Sequence, residues 1–110
     1  ACQRELTDGA TYLTLRYDSY ASATAAKSGY GAYKARETNA AYSTSTRAEA
    51  GIGDDAFSAF YSNYLVGFGR ELLITLRVTY VITLNLVAVG GDAALRMRVE
   101  SLARDAVGKI

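Results

Sequence analysis

Residues 71–89, ELLITLRVTYVITLNLVAV, form the stretch that decides the fold. Apolar or aromatic side chains occupy every second position of Leu72–Leu76 and again of Tyr80–Leu86. Side chains alternate between the two faces of a strand, so this period of two predicts two strands. We place a turn near Arg77-Val78-Thr79, which makes the pair an antiparallel hairpin. One long bent strand is the alternative, because no Asn-Gly or Asp-Gly marks the turn.

A closing helix is predicted after this hairpin. Gly90-Gly91-Asp92 ends the second strand and supplies an N-cap, and the helix runs from about Ala93 to Val107. Such a helix needs a sheet face to cover, and the hairpin supplies it. Its predicted apolar stripe is Leu95, Val99, Leu102 and Ala106, with Ala103 and Ile110 alongside. Its predicted solvent side carries Arg96, Glu100, Arg104 and Asp105.

Upstream, the chain predicts one more strand and one more helix. Ala10–Tyr17 alternates as a half-buried strand does, and Asp18-Ser19 offers an N-cap. An Ala-rich helix then extends to about Ala41, although Gly29 and Gly31 disfavour it by about 1 kcal/mol each unless they permit close packing on a sheet. Its expected apolar face uses Ala23, Ala26, Tyr30 and Tyr33.

The middle of the chain is predicted to hold a loop and two short strands. Tyr42–Ala50 is polar and short-sided, which is typical of a loop. Strands are predicted at Phe57–Tyr61 and Tyr64–Phe68, separated by a turn at Ser62-Asn63, with a break at Gly69-Arg70. The resulting class is α+β: an antiparallel sheet of about four strands with two helices packed on it, in the order β-α-β-β-β-α. Residues 1–110 form a single domain in this interpretation.

Composition excludes several classes of function. The net charge is +1, from twelve basic and eleven acidic residues, so no strong field attracts nucleic acid. There is no His and only one Cys, which removes the usual general base and the thiolate metal cage. No cofactor, no metal and no catalytic residue is therefore expected, and we predict that the chain is not an enzyme. Nine Tyr residues either form a contact surface or fill cross-strand pairs.

No membrane-spanning helix is expected either. Arg77 would lie near the centre of the only long apolar stretch, at a cost of roughly 2.5–3.5 kcal/mol on insertion scales. The segment from Ala1 to Glu5 is too polar for the apolar part of a signal peptide.

The segment Gly51-Ile52-Gly53-Asp54-Asp55 resembles a nucleotide or calcium loop at first sight. It lacks the Lys-Ser/Thr of a P-loop and the alternating acidic ligands of an EF-hand. Gly51, Gly53, Asp54 and Asp55 are therefore interpreted as a structural turn motif. Asp54 with Asp55, or either of them with Glu49, could in principle form a pair of catalytic carboxylates. Adjacent residues of a strand point to opposite faces, so Asp54 and Asp55 are not expected to share a proton, and they are interpreted as solvated turn residues.

The order of these segments resembles a family of actinobacterial secreted lipoproteins of unknown function. The matching pieces are Cys2 ahead of the first strand, the strand and Ala-rich helix, the GIGDDAF segment at 51–57, the hairpin at 73–86 and LARDA at 102–106. The resemblance implies export, attachment outside the cytoplasm and a sensor-like or binding role. It also implies that Cys2 pairs in a disulfide with an upstream Cys. No functional residue carries over from it.

Two functions are predicted. The first is an extracytoplasmic, secreted or cell-surface, non-catalytic binding module for a protein or a small ligand. The second is a self-assembling structural subunit of an extracellular or surface assembly, because near-zero net charge and open sheet edges favour a homo-oligomer. The ligand, the partner and the residues that touch them do not follow from the sequence.

Overall fold

The computed structural model describes residues 2–8, 11–38, 45–65 and 68–109. These residues form a mixed α+β fold. The elements are β1 (Cys2–Asp8), β2 (Thr11–Ser19), α1 (Ala23–Thr38), β3 (Ser45–Ala48), β4 (Asp55–Leu65), β5 (Phe68–Arg77), β6 (Tyr80–Ala88) and α2 (Asp92–Gly108). The strands form a single sheet in the order β1-β2-β6-β5-β4-β3, and every neighbouring pair is antiparallel. The predicted class is confirmed, with six strands instead of about four.

The two helices lie on opposite faces of the sheet. On β5, Leu72, Ile74 and Leu76 pack towards α1, whereas Leu73 packs towards α2. We call these the α1 face and the α2 face. Because both faces are covered there, β5 is buried continuously from Glu71 to Leu76.

The central hairpin is confirmed. Arg77 pairs with Tyr80 across a two-residue turn at Val78 and Thr79. Val78 adopts a φ of +53°, a left-handed conformation that is unfavourable for a β-branched residue. The Asp54 carboxylate compensates, because its Oδ2 accepts the Val78 backbone N–H at 2.7 Å. A side chain from another segment therefore replaces the Asn-Gly that the sequence lacks.

Two strands lie where no strand was predicted. β1 pairs with β2 along its whole length, ahead of the first predicted strand. β3 lies within Tyr42–Ala50, which was predicted to be a loop, and residues 42–44 of that stretch lie outside the described residues. Both are terminal strands of the sheet and both are rich in polar residues. Edge strands need no alternating apolar pattern and are often charged, so their sequences do not carry the usual signal.

The predicted interruptions of β4 and β5 are wrong. β4 continues through Ser62-Asn63, and its pairing with β5 shifts register between Tyr61 and Leu65. The separate strand predicted at Tyr64–Phe68 instead covers the end of β4 and the start of β5, with residues 66–67 outside the description. Gly69-Arg70 lies inside β5, not at a break. A Cβ atom at Gly69 would come within 2.9 Å of the Phe60 ring, so this glycine permits close packing within a strand.

The helix boundaries differ from the prediction at their N-termini. Asp18-Ser19 belongs to β2, and Ser22 caps α1 instead, because its Oγ accepts the Ala25 N–H at 3.1 Å. α1 is described as far as Thr38, so the predicted extension to Ala41 lies outside the described residues. Ala26 and Tyr30 are its buried side chains.

α2 begins at Asp92 with Gly91 at the N-cap position, and no side chain caps it. Its buried stripe is Leu95, Val99, Ala103 and Ala106. The predicted stripe was wrong at Leu102, which is 38% exposed, and Ile110 lies outside the described residues. Ala103 takes the place of Leu102 because positions 95, 99, 103 and 106 recur on one face of the helix, whereas position 102 lies beside it.

Candidate functional site

The segment from Gly51 to Asp55 connects β3 to β4 and has the geometry of a turn. Gly51 and Gly53 adopt φ values of +76° and +66°. A Cβ atom at Gly53 would lie 2.4 Å from Thr75 Oγ1 and 2.6 Å from the Leu76 carbonyl oxygen, so only glycine fits there. Ile52 inserts into the core of the α2 face. The segment therefore serves packing.

The structure separates the two aspartates of this segment. Asp54 binds the hairpin turn through the Val78 N–H and also accepts Arg77 Nη1 at 3.2 Å. Those bonds, with the Val78 N–H first, hold the pKa of Asp54 below its usual range. Asp55 begins β4 on the α1 face, beside Tyr30. Glu49 lies in a different cluster, so these carboxylates do not form one site.

A cluster of charged side chains, which we call the buried charge cluster, lies beneath α2 at the β3–β4 edge of the sheet. Its members are Arg47, Glu49, Glu71, Asp92, Arg96 and Glu100. Arg47 donates to both oxygens of Asp92, with Nη1 to Oδ2 at 2.9 Å, and its Nη2 also donates to Glu71 Oε1 at 3.1 Å. Arg96 Nε donates to Glu49 Oε2 at 2.8 Å and to Glu100 Oε2 at 3.1 Å. Two arginines thus face four carboxyl groups.

This imbalance sets the protonation of the cluster. The Glu71 side chain is fully buried, and burial followed by the neighbouring Asp92 carboxylate raises the pKa of Glu71 to about 9, against the opposing charge of Arg47. Burial also acts to raise the pKa of Glu49, but hydrogen bonds from Glu100, Ser58 and Arg96 outweigh it and lower that pKa. The pKa of Glu100 is raised, first by its hydrogen bond with Glu49. Glu71 is therefore protonated at neutral pH, and its neutral carboxyl group still accepts the hydrogen bond from Arg47 Nη2.

Concave surfaces border α1 at several points, and two of them extend over the sheet, one on each flank of the helix. The first, which we call the Tyr30 cleft, encloses about 620 Å³ between α1 and the β4–β5 end of the sheet. Its walls include Leu76 and Val78, and its polar groups include Lys27, Lys34 and Asp55. Tyr30 is only 3% exposed, and its hydroxyl lies beside the Asp55 carboxylate without a well-aligned hydrogen bond within the described part of the chain. Burial and the neighbouring Asp55 carboxylate raise the pKa of Tyr30 well above its usual range, so this hydroxyl stays protonated.

The second, which we call the arginine cleft, encloses about 340 Å³ on the other flank. Arg16 of β2, Arg36 of α1 and Arg70 of β5 line it, together with Tyr33 and Asn85. Arg70 Nε donates to Asn85 Oδ1 at 2.6 Å. The Arg36 guanidinium lies over the Tyr33 ring at 4.8 Å from its centroid.

Two of the residues singled out from the sequence contribute to these clefts. Asp54 and Asp55 line the Tyr30 cleft, whereas Gly51 and Gly53 do not. Cys2 lies in the edge strand β1, paired with Tyr17, and its disulfide stays a prediction. Arg47, Glu71 and the cleft arginines were not identified. The sequence did contain one signal for the charge cluster: Glu71 directly precedes a run of apolar residues, which indicates a carboxyl group close to the core.

Fold and clefts together define a class: a two-helix α+β protein with an antiparallel sheet between its helices, two clefts on the α1 face and a smaller one between α2 and β2. Among the described helices, none is long and apolar enough to cross a membrane. Across the same residues, no group of three or more His, Cys, Asp or Glu side chains is arranged to hold a metal ion. No protein-family model, curated protein or solved structure matches the chain, so the resemblance to secreted lipoproteins stays a prediction.

Proposed function

We propose that this chain is a non-catalytic binding module that holds a small ligand in the Tyr30 cleft. The observation that carries the proposal is the Tyr30 hydroxyl, which is buried against the cleft beside the Asp55 carboxylate and makes no well-aligned hydrogen bond among the described residues. An unsatisfied buried polar group costs about 1–3 kcal/mol, which a ligand atom in the cleft would recover. The volume of about 620 Å³ lies within the roughly 300–1,000 Å³ of known ligand pockets.

The lining of the cleft favours a particular kind of ligand. Leu76 and Val78 offer apolar contact, while the protonated Tyr30 hydroxyl offers a donor and Asp55 an acceptor. A small molecule with an apolar body and a carbonyl or hydroxyl oxygen directed at Tyr30 fits this arrangement. Lys27, Lys34, Asp54 and Asp55 add charged groups around these apolar walls, and polar groups of this kind fix the orientation of a bound ligand.

The buried charge cluster supports a role without catalysis. A raised carboxyl pKa is a signature of catalytic acids when the group lies in a cleft. Glu71 has such a pKa, but its side chain has no exposed surface beneath α2. A substrate cannot reach it, so the shift reflects burial in a structural contact.

The extracytoplasmic part of the proposal is supported by the lipoprotein resemblance alone. It predicts that Cys2 is oxidised in the protein isolated from its source without reductant. A free Cys2 thiol in that preparation would contradict this placement and would leave the cleft proposal untouched.

Native mass spectrometry of the protein from its own source tests the binding role. We expect an added mass of small-molecule size on the monomer, and we expect Tyr30→Phe to lose it while keeping the ring that packs on Phe57 at 5.9 Å. Tyr20→Phe is the matched control, because this tyrosine lies outside the cleft and should retain the adduct. A bare wild-type monomer, or an adduct that survives in Tyr30→Phe, would contradict the proposal.

A second candidate function, self-assembly, is favoured by the position of β1. This strand has seven residues and forms the end of the sheet, paired with β2 alone. Such an edge can template pairing with a second copy. Sedimentation velocity over rising concentration tests it, and a monomer at every concentration would exclude this route.

A further inference from the structure

The floor of the arginine cleft is formed by the sheet, and its β2 and β6 residues are more polar than those on the opposite face of the same strands. Where β2 and β6 pair beside the cleft, four leucines face α2: Leu13, Leu15, Leu84 and Leu86, of which the last two are fully buried. The residues of the same strands that face α1 and line the cleft are polar or aromatic: Tyr12, Thr14, Arg16, Thr83 and Asn85. The strands therefore present side-chain hydrogen-bonding groups where α1 leaves the sheet uncovered.

Three guanidinium groups border this floor from three different elements. Arg70 is positioned by the bond to Asn85 and by the Tyr61 ring, whose centroid is 4.7 Å from its guanidinium carbon. Arg36 is positioned over Tyr33, and Arg16 Nε donates to Asp18 at 3.0 Å. Stacking and fixed hydrogen bonds hold a guanidinium plane in one orientation, which lowers the entropy lost when it binds an anion.

The lining of the cleft is rich in positive charge. Its three arginines face two carboxylates: Asp18, which accepts Arg16 Nε at 3.0 Å, and Glu37, which lies 3.9 Å from Arg36 Nη2 and accepts the Tyr61 hydroxyl. Three guanidinium charges against two carboxylates leave a net positive charge around the cleft. Local positive charge on a concave surface concentrates small anions.

We propose that the arginine cleft is a second binding site, independent of the Tyr30 cleft, for a small oxyanion: a carboxylate or a phosphate group. Guanidinium groups bind both in the same bidentate geometry. Thr14, Thr83 and Asn85 supply further hydrogen bonds to the anion, and the Tyr12 and Tyr33 rings supply contact for an attached apolar group.

Solution NMR of the full chain tests this site with citrate and inorganic phosphate as separate probes, at constant ionic strength set by chloride. We expect saturable shifts of the Thr14, Thr83 and Asn85 amides with at least one probe. A response to citrate alone assigns a carboxylate ligand, and a response to phosphate alone assigns a phosphate ligand. Shifts that grow linearly with either anion and never saturate would overturn the proposal.

Substitution of single arginines tests whether the anion binds in the arginine cleft. The Arg36 side chain is 67% exposed, so Arg36→Gln is expected to fold normally and to weaken the affinity by about 10- to 100-fold, as loss of a charge-assisted bond predicts. Arg36→Lys should restore only part of it, because an ammonium lacks the planar fork. Arg98→Gln, on the exposed side of α2, and Tyr30→Phe, in the other cleft, should bind as the wild type does. Equal affinity in Arg36→Gln and Arg98→Gln would refute the assignment.

Discussion

Replacing Glu71 with Gln tests how the buried charge cluster is protonated. Gln has the shape of a protonated Glu, and its amide oxygen can still accept the hydrogen bond from Arg47 Nη2. If Glu71 is neutral in the fold, the substitution changes little at acidic pH. It should then stabilise the protein progressively as the pH rises.

The magnitude follows from the difference between the folded and unfolded pKa of Glu71. Its pKa rises from 4.5 to about 9 on folding, so within that window the native state binds a proton that the unfolded state has released. Its contribution to stability is complete below pH 4.5 and is lost as the pH rises through 9. Each pH unit in the window lowers the free energy of unfolding by about 1.4 kcal/mol. The full window corresponds to about 6 kcal/mol, against a total of about 5–15 kcal/mol for a typical domain.

Urea unfolding of wild type and Glu71→Gln at several pH values from 5 to 8.5 measures this effect. We expect the two to have similar midpoints near pH 5, with the variant increasingly more stable at higher pH. Asp105→Asn changes an exposed carboxylate of α2 and should give a constant difference from wild type. A stability difference for Glu71→Gln that does not vary with pH would show that Glu71 is ionised in the fold and would refute this reasoning.

The remaining predictions concern packing and turns, and urea unfolding measures each of them. Leu73→Ala, in the core of the α2 face, should cost about 2–5 kcal/mol, while Leu102→Ala on the exposed side of α2 should cost far less; equal losses would contradict the assigned helix face. Gly53→Ala should destabilise the protein more than Gly51→Ala, because a Cβ atom at Gly53 meets Thr75 and Leu76 whereas one at Gly51 meets open space. The reverse order would show that steric contact at Gly53 does not set the cost. Asp54→Ala should lower the free energy of unfolding by about 1 kcal/mol at neutral pH, because the hydrogen bond to the Val78 N–H is lost. The stability difference between wild type and variant should shrink as acid protonates Asp54 in the wild type. An equal difference at pH 2 would argue against a role for this hydrogen bond.

Sequence reasoning succeeded where one physical signal dominated. The hairpin of β5 and β6 and the position of α2 follow from apolar periods of 2 and 3.6 residues, and both are confirmed. The edge strands β1 and β3 escaped prediction because a strand with one neighbour carries no obligatory apolar alternation. The placement of the two helices on opposite faces of the sheet could not be predicted either. Both faces of β5 are buried from Glu71 to Leu76, and the spacing of apolar residues does not say which helix covers which face.

The clefts and the buried charge cluster could not be derived in the same way. Arg47 and Asp92 are far apart in sequence, and they meet only because β3 lies beside the start of α2. The sequence suggested Asp92 as a cap and placed Arg47 in a loop. Contacts of this kind depend on sheet order, which local pattern does not specify.

The pairing of β2 with β6 has a consequence for how the chain acquires its structure. Tyr12 pairs with Val87, far along the sequence, whereas β3, β4, β5 and β6 pair with their sequence neighbours. During synthesis, β1 and β2 therefore cannot take their place in the sheet until β6 has been made. Loop closure over such a distance is slow, so docking of the β1–β2 arm is expected to be the last step of folding. Until then the exposed edge of β6 can accept the arm of another nascent copy, which makes exchange of this arm the characteristic misfolding route of the molecule.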